Sequence, residues 1–214
     1  MTKGRLFPFL LAFGAVLLAF GGCRQATRVS PAPPPMPSAR SAPASTPVST
    51  EKPIAPEKNP PGDIPDTQVF ITYRSTTGGY ALEVPEGWAR SVHGSDVKFT
   101  DKFDGEQVAL SKTAMPPTVS SVQRDQAPAL QRHGRAVTIQ GVKTKSMPHG
   151  NAVVYVVYTS NSAPDPVTGK QIRLDNVTYY YYHQGTLASL TLWAPRGADN
   201  ADQWKRISES FRWL

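Results

Sequence analysis

From residue 69 onward, apolar and polar positions alternate in short runs. Val69-Phe70-Ile71-Thr72-Tyr73 alternates and is rich in β-formers, and Tyr80-Ala81-Leu82-Glu83-Val84 repeats the pattern after a turn signal at Gly78-Gly79. Pro85-Glu86-Gly87 stops the second run, and Trp88 falls where it can plug the edge of a core. Residues 96–100 and 106–111 read as a hairpin, with Val97 and Phe99 facing Val108 and Leu110. Its turn is expected at Phe103-Asp104-Gly105, because Asp-Gly is a favoured turn pair. Pro116-Pro117-Thr118 opens a helix with Thr118 as N-cap. Val119, Val122 and Leu130 form its apolar stripe, and Pro128 predicts a kink or two short pieces. A strand pattern returns at residues 136–142 and runs towards Met147.

The strongest β signal follows. Residues 152–159 read AVVYVVYT, 174–183 read LDNVTYYYYH and 187–193 read LASLTLW. Pro164-Asp165-Pro166-Val167-Thr168-Gly169 joins the first two runs, and Gln184-Gly185 makes a tight turn before the third, so the three form a meander. A strand apolar on both faces belongs near the centre of a sheet that is covered on both sides. The last helix supplies one cover: Asp199 or Asn200 caps it, and Trp204, Ile207 and Phe211 share a face. The class is therefore α+β, an antiparallel sheet with flanking helices, in one domain over residues 67–214.

The first third of the chain has a different texture. Residues 23–66 are dominated by Pro, Ala and Ser and nearly lack large apolar side chains, which predicts a disordered linker. Pro-rich chain extends at about 3.1 Å per residue, so this one is a long spacer. Before it, Lys3 and Arg5 precede an apolar run over residues 10–20, then Gly21-Gly22 and the only cysteine, Cys23. The run is too short and too interrupted for a spanning helix, and it has the three parts of a secretory signal. It resembles a bacterial lipobox, with Phe20 where leucine is usual. That resemblance implies cleavage after residue 22, a diacylglyceryl group on the Cys23 sulfur, and a lipid anchor in the cell membrane or outer membrane, outside the cytoplasm. An ordinary cleaved signal and an uncleaved N-terminal helix are the alternatives.

Charge supports a membrane address more than a nucleic-acid one. The formal net charge is +7, but seven of the 23 basic residues lie before residue 66, against only Glu51, Glu57 and Asp63. The folded part is close to balanced, and the excess sits where anionic headgroups would lie. No basic cluster is interleaved with aromatics, so nucleic acid is not an expected partner. With Cys23 lipidated, the mature domain would carry no thiol for a disulfide or redox site.

Tyr80-Ala81-Leu82-Glu83-Val84-Pro85-Glu86-Gly87-Trp88 resembles the opening motif of the PsbP-like superfamily. Ala194-Pro195-Arg196-Gly197 and a helix closing on Ser210-Phe211-Arg212-Trp213 resemble its C-terminal strand-to-helix junction. The superfamily includes photosystem accessory proteins and LpqN-type actinobacterial lipoproteins. The resemblance covers residues 67–214. It implies a sheet sandwiched by helices and a non-catalytic binding or assembly role, and it transfers no ligand residue.

Candidate chemistry is sparse. His93, His133, His149 and His183 show no metal-ligand spacing, so neither a metal nor another cofactor is expected. No serine-nucleophile motif is present. Asp101, Asp104 and Glu106 gather in one hairpin, but Lys98 and Lys102 interleave, which reads as a solvated turn. The Tyr179-Tyr180-Tyr181-Tyr182 run is the most unusual feature. Tyr179 and Tyr181 share one strand face, and Tyr180 and Tyr182 share the other. These four, with Tyr155 and Tyr158, are the candidate binding surface for an envelope protein, glycan or lipid; the plain alternative buries them under helices on both faces. The expected function is that of a membrane-anchored, non-catalytic binding or accessory factor. An envelope hydrolase and a purely structural envelope protein are the alternatives.

Overall fold

A computed structural model describes residues 51–58, 60–148 and 152–214. The signal-like stretch, Cys23, the linker up to residue 50 and His149 lie outside the described residues.

Among the described residues, ten strands and a few helical segments follow in order. β1 (Phe70–Ser75) and β2 (Tyr80–Pro85) form a hairpin. β3 (Ala89–His93), β4 (Asp96–Asp101) and β5 (Asp104–Lys112) form a meander. A helical arm follows: α1 (Val119–Ser121), a π-helical turn (Val122–Gln126) and α2 (Ala127–His133). Then come β6 (Thr138–Ser146), β7 (Ala152–Asn161), β8 (Arg173–His183), β9 (Thr186–Pro195), α3 (Ala201–Ser210) and β10 (Arg212–Trp213). Two antiparallel sheets result. The larger has the order β3-β4-β5-β9-β8-β7-β6, and the smaller β1-β2-β10.

The expected α+β architecture and the central meander are as the pattern requires. β8 sits between β7 and β9, with its alternate side chains divided between two cores. On the inner face, Val177, Tyr179, Tyr181, Leu190 and Leu192 pack with β2, Ile207 and Phe211. Tyr181 stacks on Phe211 at 4.2 Å and donates its hydroxyl to the Ser208 carbonyl at 2.6 Å. On the outer face, Val154, Val156, Tyr158, Tyr180 and Leu187 pack with Val122 and Leu130 of the helical arm.

Local chemistry explains the arm. Thr118 caps α1 in a capping box with Ser121. The π-turn lies directly before Pro128, and its closing bond runs from the Ala127 N–H to the Val122 carbonyl. The wide turn accommodates a proline that has no N–H to give, so the helix neither breaks nor splits there.

Four expectations need correction. First, the β4–β5 turn is Lys102-Phe103, because Asp101 pairs with Asp104; Lys102 takes the positive φ of 48°. Gly105 lies in the strand for a different reason: a Cβ there would overlap the Trp193 indole. Second, Asp104 and Glu106 are not in a solvated turn but are 5% and 1% exposed. Third, β3 escapes the pattern because all five of its residues are exposed. β10 is likewise an addition: the chain end pairs with β2.

The fourth correction concerns the linker, whose last part is docked. The Ile64 N–H donates to Asn200 Oδ1 at 2.6 Å, and Asn200 Nδ2 donates to the Gly62 carbonyl at 2.8 Å. Gln203 Nε2 reaches the Ile64 carbonyl and Asp66. At the other end, Glu51, Lys52 and Ile54 bond Asn161. The described part of residues 51–66 is thus a strap laid on the domain, with Ile64 buried in it. Asn200 occupies the N-cap position of α3, but its side chain serves the strap and not the helix.

Candidate functional site

The helical arm covers only part of the outer face. Beyond it lie two open basins of about 600 Å³ and about 590 Å³, which share Gln107 and Asn161 as walls. Together they make one groove across β5, β9, β8 and β7.

The floor of the first basin is built from alternate residues of three strands. β5 gives Gln107, β9 gives Ser189, Thr191 and Trp193, and β8 gives Asn176. These share a face because Gln107 pairs with Thr191, and Trp193 with both Gly105 and Asn176. Gly105 has no side chain, so the indole lies flat across β5. Trp193 is half-buried, and Lys98 Nζ sits 5.5 Å from its ring centroid. Around the indole are amides and hydroxyls. Thr178 and Thr191 hydroxyls bond each other at 2.9 Å, and Asn176 Nδ2 donates to Ser160 Oγ at 3.0 Å. Lys98 and Lys102 line this basin; His133 and Arg135 line the second.

The six tyrosines do not form an exposed surface. Tyr158, Tyr179, Tyr180 and Tyr181 are buried, and Tyr155 and Tyr182 are half-buried. Burial drives the ionisation of Tyr158, Tyr179, Tyr180 and Tyr181 above the usual phenol range. The predicted division between faces holds, but each face has a cover: α3 and the smaller sheet inside, the helical arm outside. What remains of that surface is a cleft of about 400 Å³, edged by Tyr180, Tyr181, Tyr182, His183, Met147 and Trp213. Tyr158 is the one member of the set that reaches the groove, as a wall of its second basin.

A second constellation lies on the opposite side of β5. Asp104 and Glu106 point inward with Val108, while Gly105 and Gln107 point to the groove. Burial, then the charges of Asp101 and Asp63, push the Asp104 carboxyl up to about 7 against the pull of Lys102 and a long hydrogen bond from Asn200. Burial alone raises Glu106 well above the carboxylate range, and neither of its oxygens has a hydrogen-bond partner among the described residues. Glu106 lies between Phe99 and Leu192 in the register, so its carboxyl sits inside an apolar layer that favours the protonated form. The pattern of lysines around this hairpin gave no sign of that burial; its register did.

A third feature is electrostatic. Arg173 is 3% exposed and donates to the Ala136 carbonyl, Asn161 Oδ1, Thr138 and Thr159, all neutral acceptors. Burial, then repulsion from Arg196, lowers its pKa against the attraction of Asp175. Among the described residues no cluster of three acidic, histidine or cysteine side chains is placed to hold a metal ion. No helix among them is long and apolar enough to cross a membrane.

With the geometry established, comparison with solved structures gives the fold a name. The solution structure of cyanobacterial PsbP (CyanoP) from Synechocystis sp. PCC 6803 superposes with a TM-score of 0.51 at 16% identity, over 72% of this chain and 98% of that one. The fold is that of PsbP. The Ran-binding protein Mog1p of Saccharomyces cerevisiae is a looser likeness, with a TM-score of 0.44 at 9% identity over 68% of this chain and 96% of its own. No protein-family profile matches the chain, and no curated protein does. The PsbP-like core here is therefore a matter of architecture. Within it, the Pro-x-Gly-Trp segment closes β2 and sets Trp88 against the inner core.

Proposed function

We propose that this chain is a membrane-tethered, extracytoplasmic binding protein that holds a saccharide of the cell envelope in the outer groove without turning it over. One observation carries the reading: Trp193 lies flat on Gly105, half-buried, within a floor of amide and hydroxyl side chains. Sugar rings present apolar C–H faces and a rim of hydroxyls. A flat indole bordered by Gln107, Asn176, Ser189 and Thr191 meets both at once. The PsbP-like fold supplies a rigid sheet under the site. The lipobox-like sequence at Cys23 and the proline-rich linker supply the tether, which raises the effective concentration near envelope partners to roughly millimolar.

The test is affinity electrophoresis of the full-length chain through gels containing soluble polysaccharides, against Trp193→Ala. Retardation of the parent on at least one polysaccharide, weakened about tenfold or more in the variant, is the expected result. Equal mobility of the two proteins in every gel refutes the reading. The tether is tested separately, by fractionation of cells expressing the Cys23→Ala chain, which should leave the membrane fraction.

An envelope hydrolase is the second reading, and Asp104 with Glu106 is the observation in its favour. Those carboxyls lie across the strand from the groove, so a saccharide over Trp193 would be out of their reach. Release of reducing ends from a bound polysaccharide, abolished by Asp104→Asn, would reverse the order of the two readings.

A further inference from the structure

We infer that Arg135, Asn161 and Gln171 form a receptor for the carboxylate of an acidic saccharide in the groove, and that Glu51 of the strap holds it closed in cis. The inference rests on the saccharide reading above and names the sugar's charge and a control over its entry.

Three donors from three places in the fold converge on one carboxylate. Glu51 Oε1 accepts from Asn161 Nδ2 and Gln171 Nε2, each at 2.8 Å, and Glu51 Oε2 pairs with Arg135 Nη2 at 2.8 Å. Burial raises the Glu51 carboxyl, but these hydrogen bonds and the Arg135 charge outweigh it and hold the group below its usual range. The two-oxygen division, amides on one side and guanidinium on the other, suits a planar carboxylate.

The two amide donors are fixed by the domain and not by Glu51, and Arg135 is fixed at its backbone, whose carbonyl accepts from the Asn161 N–H at 2.8 Å. Asn161 Oδ1 is held by Arg173 Nη1 at 2.9 Å, and Gln171 Nε2 also donates to the Ser162 carbonyl at 3.0 Å. They therefore stay aimed when Glu51 leaves, which keeps the ordering cost of a new ligand low. Arg173 adds a buried positive charge directly behind Asn161, and its hydrogen bonds go to neutral acceptors.

The receptor opens onto the groove. Asn161 is a wall that both basins share, and Arg135 lines the second basin with His133. Lys98 and Lys102 give the far end the same sign. A chain of acidic sugars over Trp193 would thus meet positive charge at both ends. Glu51 belongs to the strap, whose opposite end is anchored independently by Asn200 and Gln203. Lys52 and Ile54 also bond Asn161 and Glu57 pairs with Lys170, so the Glu51 side chain can swing out while the strap stays docked.

The test is calorimetry on the full-length chain with three probes: trigalacturonate, its methyl ester and glutarate. Glu51→Gln should tighten trigalacturonate roughly tenfold and leave the ester unchanged, because only the charged competitor has been removed. Arg135→Gln should lose most of the parent's preference for the acid over the ester, Lys98 and Lys102 supplying the remainder, and its binding of the ester shows that it is folded. If Glu51→Gln leaves the trigalacturonate affinity unchanged, or Arg135→Gln keeps the parent's full preference for the acid, the receptor is overturned while the saccharide groove stands. If glutarate alone binds, and more tightly to Glu51→Gln, the carboxylate receptor survives and the saccharide reading falls. No binding of any probe to any variant overturns both.

Discussion

Replacing Asp104 with asparagine should make the protein more stable at neutral and alkaline pH, and leave it little changed in acid. Asp104 is 5% exposed and its folded pKa is about 7, against an ordinary 3.8. The cause is burial first, then the neighbouring charges of Asp101 and Asp63. Well below the ordinary value of 3.8 the carboxyl is protonated in both folded and unfolded chains and contributes no pH-dependent difference. As pH rises towards 7, the unfolded chain gives up its proton first. The folded chain then holds more protons, so its stability falls with rising pH until Asp104 ionises. The rise from the ordinary value corresponds to about 4 kcal/mol, reached near pH 7 and constant above it. The asparagine cannot ionise, keeps the size of the side chain and can still meet Asn200. The assay is urea unfolding of both proteins, followed by tryptophan fluorescence, from about pH 4 to about pH 8. The difference between them should be near zero at the acid end and grow to as much as about 4 kcal/mol in favour of the variant. Glu106 titrates in both proteins and cancels in the comparison. A difference that does not change with pH, or one that favours the parent at pH 8, would refute the account of Asp104 as a buried, destabilising acid.

Two further substitutions probe the same strand from its two faces. Glu106→Met replaces a 1% exposed carboxyl, unpartnered among the described residues, by an apolar chain of similar length. It should raise the midpoint of thermal unfolding at pH 7, with a gain of about 1–3 kcal/mol. Gly105→Ala drives a methyl into the Trp193 indole, which must tip off the strand. A loss of about 1–3 kcal/mol by urea titration is expected, together with a shifted tryptophan emission and weaker retardation in the polysaccharide gels.

The strands of the meander were legible because their alternation is strong and their turn residues are unambiguous. Gln184 and Gly185 both adopt positive φ, as the tight turn between β8 and β9 demands. The α3 stripe was legible for the same reason: Ile207 and Phe211 are buried and Trp204 packs beside them. β3 was not, since none of its residues is buried and its pairing with β4 is all that makes it a strand. The strap was missed because its hold on the domain is made by backbone groups and single polar side chains. Asn161 and Asn200 make most of those bonds, and neither differs in sequence from an ordinary surface asparagine. The carboxyls of the β4–β5 hairpin were misread for a register reason. Moving the turn from Phe103-Asp104-Gly105 to Lys102-Phe103 draws both acids into the strand and turns them inward.

The groove itself is written in the strands, though only at the level of one face. Along the outer face of β8, Asn176 and Thr178 are followed by Tyr180 and Tyr182. Along the same face of β9, in the opposite direction, Trp193, Thr191 and Ser189 are followed by Leu187. The two strands change from hydrogen-bonding to apolar side chains within one pair of each other, β8 at Tyr180 opposite Ser189 and β9 at Leu187 opposite Tyr182. That level is where the helical arm begins to cover the face, with Val122 against Tyr180 and Leu187. Had the uncovered part been left over by accident, its residues would continue the apolar pattern and expose a greasy patch. Apart from Ala109 and Leu174 at its ends, they carry amides, hydroxyls and one flat indole instead, over a glycine that the indole requires. The open half of the sheet is thus specified by the same alternation that specifies the core, and the strap meets its rim at Asn161, which belongs to both.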